Sequence, residues 1–191
     1  MFTLKNNYYL YIENSKILNL NLIKKRDKFI VIYRNNGPNE KISQLKDFRR
    51  KCKQKSIKFY VANNYNLSVK LKADGLYLSS YNKDLNLMKL KNLQIKIIGS
   101  AHNIKEIFLK KKQGCEKIIF SRLFKTNYSN KKGFLGVNRF NLINNHHKNK
   151  LIPLGGIKLK NLTKINIINS KSFGILSEIK KKPAKILSRL F

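Results

Sequence analysis

Short apolar segments rich in β-branched and aromatic residues recur along the chain at intervals of roughly 20 residues. They are Tyr8–Ile12, Phe29–Tyr33, Lys58–Val61, Gly75–Leu78, Ile95–Ile98, Lys117–Phe120, Leu151–Leu154 and Ser172–Leu176. Each is mostly continuous rather than alternating. That is the pattern of strands buried on both faces, as in a parallel sheet. Segments with helical spacing lie between them. Glu40–Lys55 places Ile42, Leu45, Phe48 and Cys52 on one side and basic residues on the other. Ile104–Lys112 carries Ile104, Ile107 and Phe108 at helical spacing, with Asn103 as a candidate N-cap and Glu106 three residues on. Leu162, Ile165 and Ile168 mark another helix, and Ile186, Leu187 and Leu190 a last one.

Parallel neighbours need crossover connections, and eight strand–helix units can close into a barrel. The pattern therefore predicts an α/β fold, a small (β/α)₈ TIM barrel, with a doubly wound open sheet as the alternative. No linker divides the chain, so one domain is expected over residues 1–191. The longest stretch without periodicity, Ser121–Gly136, is a candidate functional loop.

Composition changes this picture little. Hydrophobic residues make up 42% of 191, enough for one buried core. No run of ~18 residues is free of charges and amides, so a membrane span is not expected. Met1 to Glu13 has no apolar signal region, and Cys52 and Cys115 lack metal or redox spacing. Both features fit a cytoplasmic protein with reduced, buried thiols.

Charge matters more. Forty-two Lys and Arg against nine Asp and Glu give a net charge of +33. Only seven of the basic residues are Arg, the side chain best suited to bidentate base and phosphate readout. The lysines are spread along the chain, and Asn and Ile are also abundant, as an AT-rich coding sequence favours. A dedicated nucleic-acid partner is therefore not the expectation. A general attraction for anions is.

In a barrel of this class the site lies at the C-terminal ends of the strands. Those ends carry Arg34, Asn63, Asn64, Ser79, Ser80, Ser100, His102, Gly155, Gly156 and Ser177, with Thr126, Lys131 and Lys132 in the long loop. Carboxylates are nearly absent, so the rim suits an anionic ligand better than a metal cage. Leu154-Gly-Gly-Ile157, then Gly174-Ile-Leu-Ser177, is the most specific local chemistry. Barrels often hold phosphate with the loops after strands seven and eight, where glycines let backbone N–H groups approach.

Four pieces, in order, carry a family resemblance: Ala73-Asp-Gly-Leu-Tyr-Leu78, Ile98-Gly-Ser-Ala-His102, Gly114 to Ser121 with Phe124-Lys-Thr126, and Leu154-Gly-Gly-Ile157 with Gly174-Ile-Leu-Ser177. Together they resemble the thiamine phosphate synthase / thiazole tautomerase (TenI) family. The resemblance implies a TIM barrel that joins a pyrimidine diphosphate to a thiazole phosphate and releases pyrophosphate, with Mg²⁺. It implies that Arg34 contacts diphosphate, with Asn63 beside it, and that Ser100 lies by the pyrimidine. Thr126, Gly156 and Ser177 would hold the thiazole phosphate.

The chain departs from the family pattern around the diphosphate. The family's metal-binding Asp positions appear as Asn64 and Asn82, and its flanking Gln and Lys as Ile32 and Asn36. Neutral amides do not neutralise Mg²⁺ as carboxylates do. The resemblance therefore leaves two alternatives. One is a metal-independent thiazole tautomerase that uses His102 as acid–base. The other is a basic barrel that binds phosphorylated ligands or nucleic acid without turnover.

Overall fold

The computed structural model describes residues 5–23, 26–35, 37, 40–86, 95–126, 133–148, 150–181, 183–188 and 190. Eight strands, β1 (Asn7–Ile12), β2 (Phe29–Tyr33), β3 (Lys58–Ala62), β4 (Gly75–Leu78), β5 (Lys96–Ala101), β6 (Lys117–Ser121), β7 (Leu151–Leu154) and β8 (Ser172–Ile175), form one sheet. Every ladder is parallel, and the order is β7-β6-β5-β4-β3-β2-β1-β8. The two ends then face each other: a Cβ placed on Gly174 of β8 would stand 3.0 Å from Leu154 Cδ1 of β7. The result is a nearly closed (β/α)₈ barrel, as the strand pattern predicts.

Helices α1 (Ile42–Gln54), α2 (Tyr65–Lys70), α3 (Ile104–Lys112) and α4 (Gly136–His146) lie in connections between strands, and α5 (Ser177–Lys181) and α6 (Pro183–Ser188) follow β8. α1 buries Leu45, Phe48 and Cys52, while Ile42 stays half exposed. α3 starts where its capping signal says: Asn103 Oδ1 accepts the Glu106 N–H at 2.9 Å. α2 and α4 are not among the helices the sequence pattern predicts. α4 packs Val137, Phe140 and Ile143 on the core, and its buried Asn144 accepts the Leu151 N–H and donates to Asn169 O. The expected helix around Leu162–Ile168 is a 3₁₀ segment, Leu159–Ile165. Its β-branched and Asn-rich sequence forms α-helix poorly. Asn161 tightens its start by accepting the Lys158 N–H and donating to Gly156 O. Among the described residues, no helix is long and apolar enough to cross a membrane.

The strands divide the interior into two apolar layers. Outward-facing residues pack under the helices, for example Tyr8, Leu10, Val31, Phe59 and Phe120. Inward-facing residues fill the barrel: Tyr9, Tyr11, Ile30, Ile32, Tyr60, Tyr77, Ile98, Ile119 and Ile152. Four tyrosines in that axis are unusual cargo for an apolar core, because a buried hydroxyl wants a partner. At the lower end, Gly75 is required by the Tyr60 ring, whose Cε1 would lie 2.1 Å from an added Cβ.

Candidate functional site

A cavity of about 950 Å³ opens at the C-terminal ends of the strands. Its floor is the upper layer of the barrel, Tyr11 and Tyr77, whose rings meet edge to face at 5.5 Å. Burial is the main cause holding both phenols protonated, and their mutual contact adds to it for Tyr11, while the nearby Arg34 cation opposes it in both. The Tyr11 hydroxyl finds no hydrogen bond of good geometry among the described residues.

One wall is polar. Ser100 lies near the end of β5, and His102 follows two residues later at the start of the α3 connection. Ser121, the last residue of β6, sets its Oγ 2.8 Å from His102 Nδ1. The His102 N–H donates to Glu106 Oε2 at 2.7 Å, which fixes the backbone that carries the ring. A side chain able to move a proton therefore faces the cavity, supported by a hydroxyl.

The adjoining wall combines glycine and cations. Gly155 and Gly156 follow β7 with φ of +96° and +68°, a region that favours glycine. A Cβ on Gly156 would lie 2.5 Å from Phe124 O, so the turn and the loop after β6 touch through backbone. Phe124 N–H donates to Gly155 O, and Arg122 Nη1 donates to Thr126 Oγ1 at 3.1 Å. Gly174 and Ser177 complete this side from β8, with Lys158, Arg139 and Lys181 around the rim.

The structure thus brings Arg34, Ser100, His102, Thr126, Gly155, Gly156, Gly174 and Ser177 to one cavity. Lys131, Lys132 and Asn36 lie outside the described residues. Asn63 does not line the cavity. It bridges two strand ends, donating to Ser79 Oγ and accepting the Ser79 N–H, and so positions a serine that does. Asn64 and Asn82, which the resemblance puts at the family's metal-binding positions, do not stand together at the cavity. Asn64 caps α2 through the Leu67 N–H. Asn82 Oδ1 accepts from the Asp84 N–H and from Gln113 beyond α3. Each amide is committed to local backbone or helix contacts, and neither reaches the cavity.

Mg²⁺ does not fit this donor set. Among the described residues no group of three or more His, Cys, Asp and Glu is placed to hold a metal. The cavity lining contains cations, hydroxyls and phenols instead. Sequence reading did not single out Tyr11, Ser121, Arg122 and Arg139. The alternation of β1 that puts Tyr9 inward also puts Tyr11 inward, so that signal was available. Arg139 lies one turn inside α4, beyond a reading restricted to strand ends.

The profile of a family described as thiamine monophosphate synthase matches residues 16–179. A thiamine-phosphate synthase of Pelagibacter ubique (strain HTCC1062) is 30% identical over 137 residues, covering 69% of this chain and 64% of that protein. One from Prochlorococcus marinus is 28% identical over 144 residues, 74% of this chain and 41% of that protein. The chain thus spans only part of the length of these relatives. A thiamine phosphate pyrophosphorylase structure from Pyrococcus furiosus superposes with a TM-score of 0.73 at 14% identity, covering 97% of this chain and 93% of that one. A 2-keto-3-deoxy-6-phospho-gluconate aldolase from Zymomonas mobilis gives 0.57 at 12% identity, over 90% and 82% of the two chains. The two structural likenesses establish the barrel. The profile match over most of the sequence, with its motifs gathered at one strand-end cavity, makes this chain a member of the thiamine monophosphate synthase family.

Proposed function

We propose that the protein binds a thiazole phosphate in the strand-end cavity and joins it to a pyrimidine diphosphate, releasing pyrophosphate, as a thiamine-phosphate synthase. The observation that carries this reading is the make-up of the cavity lining. Gly155, Gly156, Thr126 and Ser177 border it and would supply N–H and hydroxyl donors, and Arg34, which also borders it, would supply a cation. A volume of about 950 Å³ is at the upper end for small-molecule sites, which suits two substrates at once. Arg34 would neutralise the departing diphosphate, and Ser100 would lie beside the pyrimidine. Among the described residues no carboxylate cluster is placed to hold Mg²⁺ beside that diphosphate.

A second reading has its own observation. The His102–Ser121 contact of 2.8 Å holds an imidazole at the cavity wall through its Nδ1. That arrangement suits a proton shuttle on a thiazole phosphate, as the resemblance to the tautomerase branch implies. A single assay series separates the two. Purified protein with both synthase substrates, with and without Mg²⁺, is expected to form thiamine phosphate, and Arg34→Gln to abolish it. Thiazole tautomerisation without coupling, lost in His102→Asn but retained in Arg34→Gln, would replace the synthase reading. Absence of both activities, with phosphate ligands still bound, would leave a non-catalytic binder.

A further inference from the structure

The opposite end of the barrel carries a second concentration of charge. Interior residues of a strand alternate, so the residue two places before an inward-facing one also faces inward. Tyr60, Ile98 and Ile119 belong to the interior cluster. Lys58, Lys96 and Lys117 stand two residues earlier, and each is the exposed first residue of its strand, β3, β5 or β6. β4, which lies between β3 and β5, puts Gly75 in register with Tyr60 and Lys96, and the Tyr60 ring covers that glycine. By register Lys150 stands opposite Lys117, and its carbonyl accepts the Ile118 N–H. Three ammonium groups, and a fourth beside them, therefore converge on the N-terminal mouth.

Little offsets them. Lys117 is lowered in pKa first by burial, then by Lys58 and Lys96, with Glu116 acting the other way. Asp74, the other carboxylate close enough to influence Tyr60, is already held by Arg49 at 3.0 Å and by the Phe59 N–H at 2.7 Å. Converging like charges raise the free energy of the empty mouth, and a multivalent anion relieves it.

We propose that the N-terminal mouth is a second anion site, formed by Lys58, Lys96 and Lys117, that takes a chain of two or more linked phosphates. Charge selects the ligand: three neighbouring cations are offset better by the several negative charges of linked phosphates than by a single phosphate. The tyrosines beneath, Tyr9 and Tyr60, are buried and leave no exposed aromatic face for base stacking, so a compact oligophosphate fits better than a nucleic-acid strand. This site is independent of the synthase reading, because it shares no residue with the strand-end cavity.

Titration calorimetry of the whole chain with sodium tripolyphosphate at low salt tests it. The Lys58→Gln/Lys96→Gln/Lys117→Gln variant should lose at least tenfold in affinity. A charge-matched control on helix surfaces, Lys46→Gln/Lys53→Gln/Lys105→Gln, should lose less than threefold. Arg34→Gln should keep the binding, since it alters only the other end. Equal losses in the two lysine variants, or loss in Arg34→Gln alone, would overturn the site. So would equal affinity for inorganic monophosphate or for an oligo-thymidine strand. If the triple variant fails to fold, amide shift mapping of the unmodified protein decides. Tripolyphosphate should move Lys58, Lys96 and Lys117, and shifts confined to Gly155, Gly156 and Ser177 would refute the proposal.

Discussion

At the residue scale, Tyr11 combines two opposing demands. Its hydroxyl is buried beside that of Tyr77 without a hydrogen bond of good geometry among the described residues, and a buried hydroxyl left unsatisfied costs about 1–3 kcal/mol. The same residue lines the cavity, where a ligand can satisfy it. Tyr11→Phe should therefore raise the melting temperature of the free protein and weaken a bound phosphorylated thiazole. Scanning fluorimetry with and without ligand reads both, and a fall in both quantities would mean that the hydroxyl has a partner already. Asn64 and Asn82 give a contrasting case. Asp caps a helix as well as Asn does, so Asn64→Asp should be silent in stability. Because Asn82 is held by Gln113, the Asn64→Asp/Asn82→Asp double variant should gain no Mg²⁺ site, and calorimetry with MgCl₂ should stay flat. Gly156 is a poor place to test phosphate binding by substitution. Its positive φ and its 2.5 Å approach to Phe124 O mean that any side chain disturbs the loop before it touches a ligand.

At the element scale, α3 does more than cover β5. Its Lys110 is fully buried and donates to Asn82 O at 2.7 Å and to Gln113 Oε1 at 2.8 Å. Gln113, also fully buried, donates to Asp84 O at 2.8 Å and to Asn82. This clamp ties the loop after β4 to the helix two elements on. That loop carries Ser79, Ser80 and Tyr81 into the cavity. Gln113→Leu would strip two carbonyls of a donor and leave Lys110 with one partner fewer. A loss of about 1–3 kcal/mol in stability is expected from those orphaned groups. Hydrogen exchange over residues 79–84 should accelerate with it, while the β6–β7 side stays protected. Unchanged exchange in that loop would show that β4 alone fixes it.

At the scale of the whole molecule, charge and burial act on stability in different pH and salt ranges. Nine carboxylates cannot offset forty-two cations, so the folded state repels itself. Raising NaCl from about 0.01 to about 0.5 M shortens the screening length from about 30 Å to a few Å. The melting temperature should rise by several degrees, and no change would mean that the lysines are too widely spaced to interact. Alkaline pH should do the reverse once salt has removed that repulsion. Burial pushes the Cys52 and Cys115 thiols up to about 12 and raises Tyr8, Tyr9, Tyr11, Tyr33, Tyr60 and Tyr77. These groups keep their protons folded and lose them unfolded. Their stabilisation is whole below about pH 8.5 and falls as pH rises past the ordinary thiol and phenol values of ~8.5 and ~10. Lys5, Lys110 and Lys117, lowered by burial, pull the other way up to about pH 10.4. Eight groups against three give a net loss above about pH 10, measurable as a falling denaturation midpoint in the high-salt buffer.

The chain's pattern by itself determined a parallel α/β architecture: eight continuous apolar runs match strands buried on both faces, and the crossovers between them make their neighbours parallel. Closure into a barrel rather than an open sheet was decided by the tertiary structure, in which β8 returns to pair with β1. The pattern also located the glycine pair after β7 and the histidine after β5, because strand ends are readable from where apolar runs stop. α4 was not read from the pattern although Val137, Phe140 and Ile143 pack on the core, because Asn138, Arg139, Asn141, Asn144 and Asn145 break up the apolar run and the buried Asn144 reads as a polar position. Tertiary structure alone decided which polar side chains meet. Asn63, Asn64 and Asn82 look equivalent at strand ends, yet one braces Ser79, one caps α2 and one is drawn away by α3. A side chain's hydrogen bonds depend on elements far off in sequence, here 31 residues for Asn82 and Gln113, and no local pattern encodes that distance. The same holds for the His102–Ser121 contact, made when β5 and β6 align, and for the lysines that only barrel closure gathers at one mouth.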